Sequence, residues 1–165
     1  MPCACIADNP RYPQNEEWGP LLWRILHTLA EKAGLQRDPL FQADEIRTWP
    51  LFVKTLGPMI PCPYCRDDFN TYIQANPFNL PAEKSGINFY VRKWFYDFHE
   101  SVNQRLGKPS FAFENLTPTY KNTGVLKETF EQLEKLEVKA MKLNGVAILS
   151  WQSWLKHYRT LRAFL

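Results

Sequence analysis

Apolar residues repeat at helical spacing along most of the chain, and they predict a protein built from helices. The clearest pattern runs over 85–106, where apolar residues recur three and four positions apart behind Ser85, which predicts an N-cap. A first helix is predicted from Trp18 to Ala33, before Gly34, and a third over 62–75, before Asn76-Pro77. No segment alternates apolar and polar residues as a half-buried strand does, so we expect no β-sheet.

The segment between these two helices is less regular. Residues 35–47 read as a loop or a broken helix. A short second helix is predicted to begin at Thr48-Trp49-Pro50, because proline at the first helical position loses no hydrogen bond. Gly57-Pro58 is predicted to break it.

The last 45 residues differ from the rest in charge and in pattern. Residues 123–143 and 146–165 each predict an amphipathic helix, joined by a turn at Asn144-Gly145. This tail holds eight Lys and Arg against four Asp and Glu, so it carries the basic excess of the chain. We therefore divide the sequence into an arm (1–15), a helical domain (16–120) and a C-terminal helical hairpin (121–165), and expect Trp151 and Trp154 to pack in the core.

Composition excludes several classes of protein. Apolar residues make up 45% and charged residues 22% of the 165, enough to bury a core. A net charge of +3 is too weak to indicate nucleic-acid binding. No uncharged apolar stretch is long enough to span a membrane, and residues 1–10 lack the apolar region of a secretory signal. No GxGxxG motif is present, which argues against a Rossmann cofactor site.

Four cysteines form two close pairs, Cys3-Ala4-Cys5 and Cys62-Pro63-Tyr64-Cys65. The second spacing lets two thiols meet across one helical turn. A thiol at a helix N-terminus ionises more easily, and the thiolate is the reactive form. We therefore expect Cys62 to be the exposed, reactive sulfur and Cys65 the buried partner.

Other roles for these cysteines remain open at this point. A zinc site with four thiolates would use both pairs, although this spacing is unusual for zinc. A structural disulfide is a poor use of CxxC because the closed loop is so short. CPYC also occurs in glutaredoxin-like and thioredoxin-like oxidoreductases, whose fold needs a strand ahead of the motif, and 51–53 is the one candidate. The remaining alternative is a non-catalytic helical protein that binds a partner through its basic tail.

Two sequence runs give the CPYC motif its context. Upstream stands WGPLLWRILHT (18–28), and downstream stands HESVNQRLGKPSF (99–111). Trp23 and His27 lie four apart, as do His99 and Asn103, so each pair shares one face of its helix. These motifs, in this order, resemble the Erv/ALR family of FAD-linked sulfhydryl oxidases, in the style of members from large DNA viruses.

The resemblance covers roughly residues 16–120 and implies an all-α fold. This is a four-helix bundle with a short fifth helix that holds FAD, here followed by the C-terminal hairpin. Cys62 would exchange with incoming thiols, and Cys65 would pass electrons to the flavin. The implied FAD-binding positions are Gly19, Trp23, His27, Cys65, His99, Asn103, Leu106, Lys108, Phe111 and Tyr120. Lys108 follows a helix end, where its charge would reach a phosphate.

The sequence departs from the family pattern at several positions, and one of them is Pro20, which replaces an Arg of the family that would contact the cofactor. Glu100 stands where the family has Asn, and an acid near the cofactor phosphates is unfavourable, so we expect Glu100 to point outward. Tyr96 and Phe113 stand where family members often carry a structural disulfide. We expect these two rings to pack against each other in its place.

The implied reaction oxidises protein dithiols, passes the electrons through Cys62 and Cys65 to FAD and then to O2, and yields H2O2. Cys3 and Cys5 fit a shuttle disulfide on the arm, since a strained CxC ring is a strong oxidant; a pair unrelated to the site is the alternative. The expected partners are protein dithiols and a second copy of the chain in a homodimer. If the protein is viral, the expected location is the cytoplasm of the infected cell or the virion. Otherwise we expect an oxidising organelle such as the mitochondrial intermembrane space.

Overall fold

The computed structural model describes residues 9–165, and within this range every regular element is a helix, as predicted. In chain order these helices are α1 Asn15–Glu31, α2 Pro39–Met59, α3 Pro63–Ala75, α4 Ile87–Arg105, α5 Leu116–Tyr120, α6 Leu126–Lys142 and α7 Ile148–Arg162. Short 3-10 turns at Lys84–Gly86, Phe113–Asn115 and Thr123–Val125 lead into α4, α5 and α6. Cys3 and Cys5 lie outside the described residues. None of the described helices is both long and apolar enough to cross a membrane.

Gly34 ends the first helical segment, as predicted, and also makes room for α4. Its φ of +71° lies in the left-handed region, which a side chain strains. A Cβ at this position would also lie 2.9 Å from the Cβ of Ile87, the first residue of α4. Glycine is therefore required here both for the turn and for the close approach of the two segments.

Helix α2 is longer than predicted, and the expected loop or broken helix at 35–47 is wrong from Pro39 onward. The helix begins at Pro39 because the Asp38 carboxylate caps it, accepting hydrogen bonds from the amides of Leu40 and Phe41. It then continues through Pro50. A proline inside a helix costs about 3 kcal/mol. The side chains around Pro50 that face the core offset that cost by burial: Trp49, Phe52, Val53 and Leu56 are each at most 1% exposed.

Two smaller predictions also need correction. Gly57-Pro58 does not break α2, which reaches Met59, and Gly57 instead admits a neighbour: a Cβ there would lie 2.8 Å from the Phe69 ring of α3. Ser85 does not cap α4, because it lies within the 3-10 turn and Gly86 occupies the N-cap position without a side-chain bond. The backbone turn replaces the side-chain cap that the sequence predicted.

The last two helices pack on different helices of the bundle. α6 lies along α1, and α7 lies along α2, while α4 and α5 also contact α1. Phe130 of α6 joins the two, since its ring stacks with Tyr158 of α7 at 4.7 Å between centroids. Trp151 and Trp154 are buried, as predicted, within one continuous core to which every described helix except α5 contributes. The domain boundary at residue 120 stays a prediction.

Candidate redox and cofactor site

The CPYC motif forms the first turn of α3. Cys62 is the N-cap, and its Sγ accepts a hydrogen bond from the Cys65 amide at 3.3 Å. Pro63 follows at the first helical position, where its missing N–H costs nothing. The sequence therefore predicted correctly that the motif begins a helix and brings both sulfurs to its N-terminus.

The two cysteines differ in oxidation state and in exposure. Cys62 is disulfide-bonded and Cys65 is a free thiol, so the two are not bonded to each other in this structure. Cys62 is only 1% exposed, whereas Cys65 is half-buried. The expected order of exposure is therefore wrong. Pro61, just before Cys62, is also buried and accepts a hydrogen bond from the Tyr12 hydroxyl.

Three polar residues that the sequence analysis missed surround the Cys65 thiol. Burial raises the pKa of this thiol, and so does the nearby Asp68 carboxylate, whereas Arg105 and a 3.6 Å hydrogen bond from Asn15 Nδ2 lower it. Arg105 and Asp68 form an ion pair at 2.7 Å, and their charges act on the pKa of the thiol in opposite directions. Burial prevails and keeps the thiol protonated. Asp68 lies three residues after Cys65 on the same helix face, which is the one sequence signal for this group.

Four candidate cofactor residues pack together as a ring cluster: Trp23, His27, His99 and Tyr120. Trp23 and His99 stack at 3.9 Å between centroids and 5° between planes. His27 stacks on Tyr120 at 4.6 Å. α1, α4 and α5 thus each contribute to a single group of stacked rings. Phe98 of α4 is buried and also touches Trp23 at 5.1 Å between ring centroids.

The two histidines of the ring cluster are neutral and share a hydrogen bond. His27 Nε2 lies 2.9 Å from His99 Nδ1. Burial, together with a smaller effect of the neighbouring His99, lowers the pKa of His27 to about 3. Burial likewise lowers the pKa of His99 to about 4, against a weaker opposing effect of Glu100. Both rings are therefore uncharged at neutral pH, and one ring donates to the other.

Glu100 points inward, contrary to the expectation that it would point outward. Its carboxylate accepts hydrogen bonds from Ser110 Oγ at 2.6 Å, from the Phe111 amide at 3.0 Å and from Asn103 Nδ2 at 2.9 Å. Burial alone would raise the pKa of Glu100, but these bonds outweigh it and lower the pKa. The acid fastens the segment that carries two candidate cofactor residues, Lys108 and Phe111, to α4.

Tyr96 and Phe113 pack together, as predicted. Their rings meet edge to face at 5.2 Å between centroids and 89° between planes. The Tyr96 hydroxyl also donates a 2.7 Å hydrogen bond to the Phe111 carbonyl. An aromatic pair therefore joins α4 to the following segment at the two positions where the family often has a disulfide.

Replacing both Tyr96 and Phe113 by alanine is expected to lower the free energy of unfolding by about 3 kcal/mol, since it removes two half-buried rings, their contact and one hydrogen bond. Urea unfolding measures this loss, and the two single variants give the coupling between the rings. Leu149→Ala is the control, because Leu149 is 75% exposed. A double variant no less stable than the control would contradict a packing role.

The other candidate residues are more open. A Cβ on Gly19 would meet nothing within 4 Å, so the α1 surface there has free space. Leu106 is half-buried, Lys108 is exposed, and Phe111 lies 6.3 Å from Tyr120 between ring centroids. Cys65 connects to the ring cluster through α3, because Phe69, one turn further on, contacts Phe98 at 5.3 Å.

Comparison with known proteins places these motifs in a family. The family model of the Erv1 / Alr family matches residues 20–121. Putative FAD-linked sulfhydryl oxidase 347L of Invertebrate iridescent virus 6 is 36% identical over 96 residues, which are 56% of this chain and 81% of that protein. Putative FAD-linked sulfhydryl oxidase 096R of Invertebrate iridescent virus 3 is 29% identical, over 63% of this chain and 66% of that protein.

Mitochondrial FAD-linked sulfhydryl oxidase ERV1 of Saccharomyces cerevisiae is 27% identical, over 60% of this chain and 48% of that protein. No solved structure matches the chain. The CPYC turn and all four members of the ring cluster lie inside the matched range 20–121, which is more than half of the chain. The chain belongs to the Erv1 / Alr family.

Proposed function

We propose that this chain is a FAD-dependent sulfhydryl oxidase that forms disulfides in protein dithiols. One observation carries the proposal: the CPYC turn begins a helix whose Phe69 leads through Phe98 to the ring cluster. A redox-active pair and a stacking surface thus share one packed unit, and the relatives named as FAD-linked sulfhydryl oxidases match this part of the chain.

The chemistry of the ring cluster fits a flavin dinucleotide. Stacked aromatic rings bind flat heterocycles, and neutral imidazoles offer hydrogen bonds without a competing charge. Trp23 and His99 are in direct contact and would act as one face. The residues that would hold FAD are Gly19, Trp23, His27, Cys65, His99, Asn103, Leu106, Lys108, Phe111 and Tyr120. When bound, FAD accepts the electron pair of the reduced turn and supplies the chemistry that converts O2 to H2O2.

The chain's own part of the reaction is thiol–disulfide exchange at α3. A substrate thiolate attacks Cys62 of a Cys62–Cys65 disulfide, forms a mixed disulfide with Cys62, and releases the Cys65 sulfur. The second substrate thiolate attacks the substrate sulfur of that bond, which forms the substrate disulfide and leaves Cys62 and Cys65 reduced. Because burial keeps a proton on Cys65, the residues around it govern when this thiol ionises.

Purified protein should be yellow and should consume O2 when a dithiol is added. An absorption spectrum that shows the flavin bands, together with an oxygen electrode and dithiothreitol, measures both. A colourless chain that takes up no O2 would support the helical binding protein instead. The glutaredoxin-like alternative lacks its fold, because residues 51–53 lie within α2 and no strand precedes the CPYC turn in the described part of the chain.

We further propose that Cys3 and Cys5 act as the shuttle disulfide that oxidises protein substrates and is re-oxidised by exchange at Cys62. The support is chemical, since Cys3 and Cys5 form a close pair and a strained CxC disulfide is a strong oxidant. Replacing Cys3 and Cys5 by serine should slow oxidation of a reduced protein about tenfold or more, yet leave dithiothreitol oxidation unchanged. Oxygen uptake with both substrates measures the difference; a variant that oxidises the reduced protein as fast as the parent does would contradict the shuttle.

The remaining partners belong to this proposal as well. Protein dithiols are the substrates, O2 is the electron acceptor, and a homodimer is the assembly that we propose. Viral and mitochondrial proteins both occur among the relatives. An infected cell's cytoplasm or a virion is the location that we propose, with the mitochondrial intermembrane space as the alternative.

A further inference from the structure

One guanidinium joins the redox turn to the C-terminal helices. Arg66, directly after Cys65, donates through Nε to the Ile60 carbonyl and through Nη2 to the Pro61 carbonyl at 3.4 Å. Nη2 also donates to the carbonyl of Gly145, which lies 79 positions further along the chain in the turn between α6 and α7. The two residues that precede Cys62 and the tail are thus held by one side chain.

A second side chain supports the same junction. The buried Tyr12 ring directs its hydroxyl to the Pro61 carbonyl at 2.5 Å, so this carbonyl accepts from both Tyr12 and Arg66. Tyr12 also packs against the tail, because a Cβ on Gly145 would collide with the Tyr12 hydroxyl and ring. The backbone before Cys62 is therefore held by two side chains, and both of them also contact Gly145.

The interior of the tail holds a buried carboxyl group on which Arg66 acts. Glu137 of α6 is 0% exposed, and neither carboxyl oxygen has a hydrogen-bond partner among the described residues. Arg66 is the cation that acts on this carboxyl. An arginine suits the position better than a lysine, because its planar fork of five N–H donors serves several carbonyls at once.

We propose that Arg66 is a positioning residue for disulfide exchange at Cys62, and that the helices α6 and α7 hold it in place through Gly145. The proposal rests on the proposed function, since it concerns the same exchange step. Attack on a disulfide requires the attacking and leaving sulfurs to lie in line, so a fixed backbone before Cys62 keeps its sulfur in the reactive direction. The tail thereby forms part of the redox site, although it lies outside the range that matches the family.

The test measures reduction of the disulfide at Cys62 in the full chain. Protein is exposed to dithiothreitol for timed intervals, its free thiols are alkylated, and the peptide containing Cys62 is quantified by mass spectrometry. Arg66→Lys keeps the charge but loses the fork, and Gly145→Ala keeps every cysteine and every charge. Both are expected to slow reduction about tenfold. Tyr12→Phe, which removes a single hydroxyl, should slow it about threefold and guards against a variant that fails to fold.

Matched controls come from the same tail. Lys142→Ala removes one exposed charge, and Gly124→Ala adds a methyl group beside the side chain of Asn122 alone, so both should keep the parent rate. Parent rates in Arg66→Lys and Tyr12→Phe would overturn the positioning role. If Arg66→Lys slows reduction of the disulfide while a folded Gly145→Ala protein keeps the parent rate, the proposed role of α6 and α7 would be overturned. The readout needs neither FAD nor O2, so a colourless, inactive chain would overturn the proposed oxidase without deciding this test.

Discussion

Replacing Cys65 by serine is expected to abolish oxygen uptake while the protein stays yellow. Serine cannot form the disulfide that accepts the electron pair from the substrate, so turnover should fall about 10³-fold or more. The ring cluster is untouched by this change, and the FAD proposed to bind there should be retained. An oxygen electrode with dithiothreitol measures turnover, and the flavin absorption of the desalted protein measures the cofactor.

Tyr64→Phe is the matched control for Cys65→Ser. Tyr64 lies between the two cysteines and is 53% exposed, so loss of its hydroxyl should leave both turnover and colour near those of the parent. A Cys65→Ser protein that consumes O2 at the normal rate would show that electrons leave the turn by another route, and the proposed oxidase mechanism would fail.

Replacing Glu137 by glutamine is expected to remove a large pH dependence of stability. Burial raises the pKa of Glu137 to about 8, even though Arg66 opposes the shift, whereas the ordinary value is 4.5. Between these two values the folded protein keeps a proton that the unfolded chain releases. Stability therefore falls as pH rises from about 4.5 to about 8, at about 1.4 kcal/mol per pH unit, and then levels off.

Urea unfolding of the parent and of Glu137→Gln at pH 5 and pH 8 isolates this group from the others that titrate. From pH 5 to pH 8, the free energy of unfolding of the parent should fall by about 3 kcal/mol more than that of Glu137→Gln. Glu131→Gln is the control, since Glu131 is an exposed carboxylate on the same helix, and its curve should run parallel to that of the parent. A Glu137→Gln curve parallel to the parent would mean that Glu137 is ionised in the folded protein.

Local patterns in the sequence predicted most helices because each presents an apolar face of its own. The start of α2 carried an equally local signal, Asp38 as a cap followed by Pro39, but Pro50 argued for a later start. Burial of Trp49 and Phe52 on either side of Pro50 decided the outcome, and this burial depends on α7, which lies about a hundred residues further on. Such tertiary packing overrides what a proline indicates locally.

In the candidate site, too, local sequence patterns predict some features, whereas tertiary packing determines others. The i,i+4 spacing placed Trp23 beside His27 on one helix face and His99 with Asn103 on another, and the structure brings the three rings together. The inward position of Glu100 depends on a loop that folds back so that Ser110 and the Phe111 amide donate two of its three hydrogen bonds, and no periodicity reveals such a loop. The contact between Arg66 and Gly145 spans 79 positions, so no local pattern could predict it.

The position of α7 along α2 bears on how far this protein can be shortened. Phe52 is fully buried and its ring packs against Trp154 at 5.5 Å between centroids, while α6 covers the neighbouring face of α1. A fragment that stopped at residue 120 would expose both faces to water as a broad apolar surface and would therefore self-associate. A shortened version of this chain must therefore either carry polar substitutions on those two faces or retain α6 and α7.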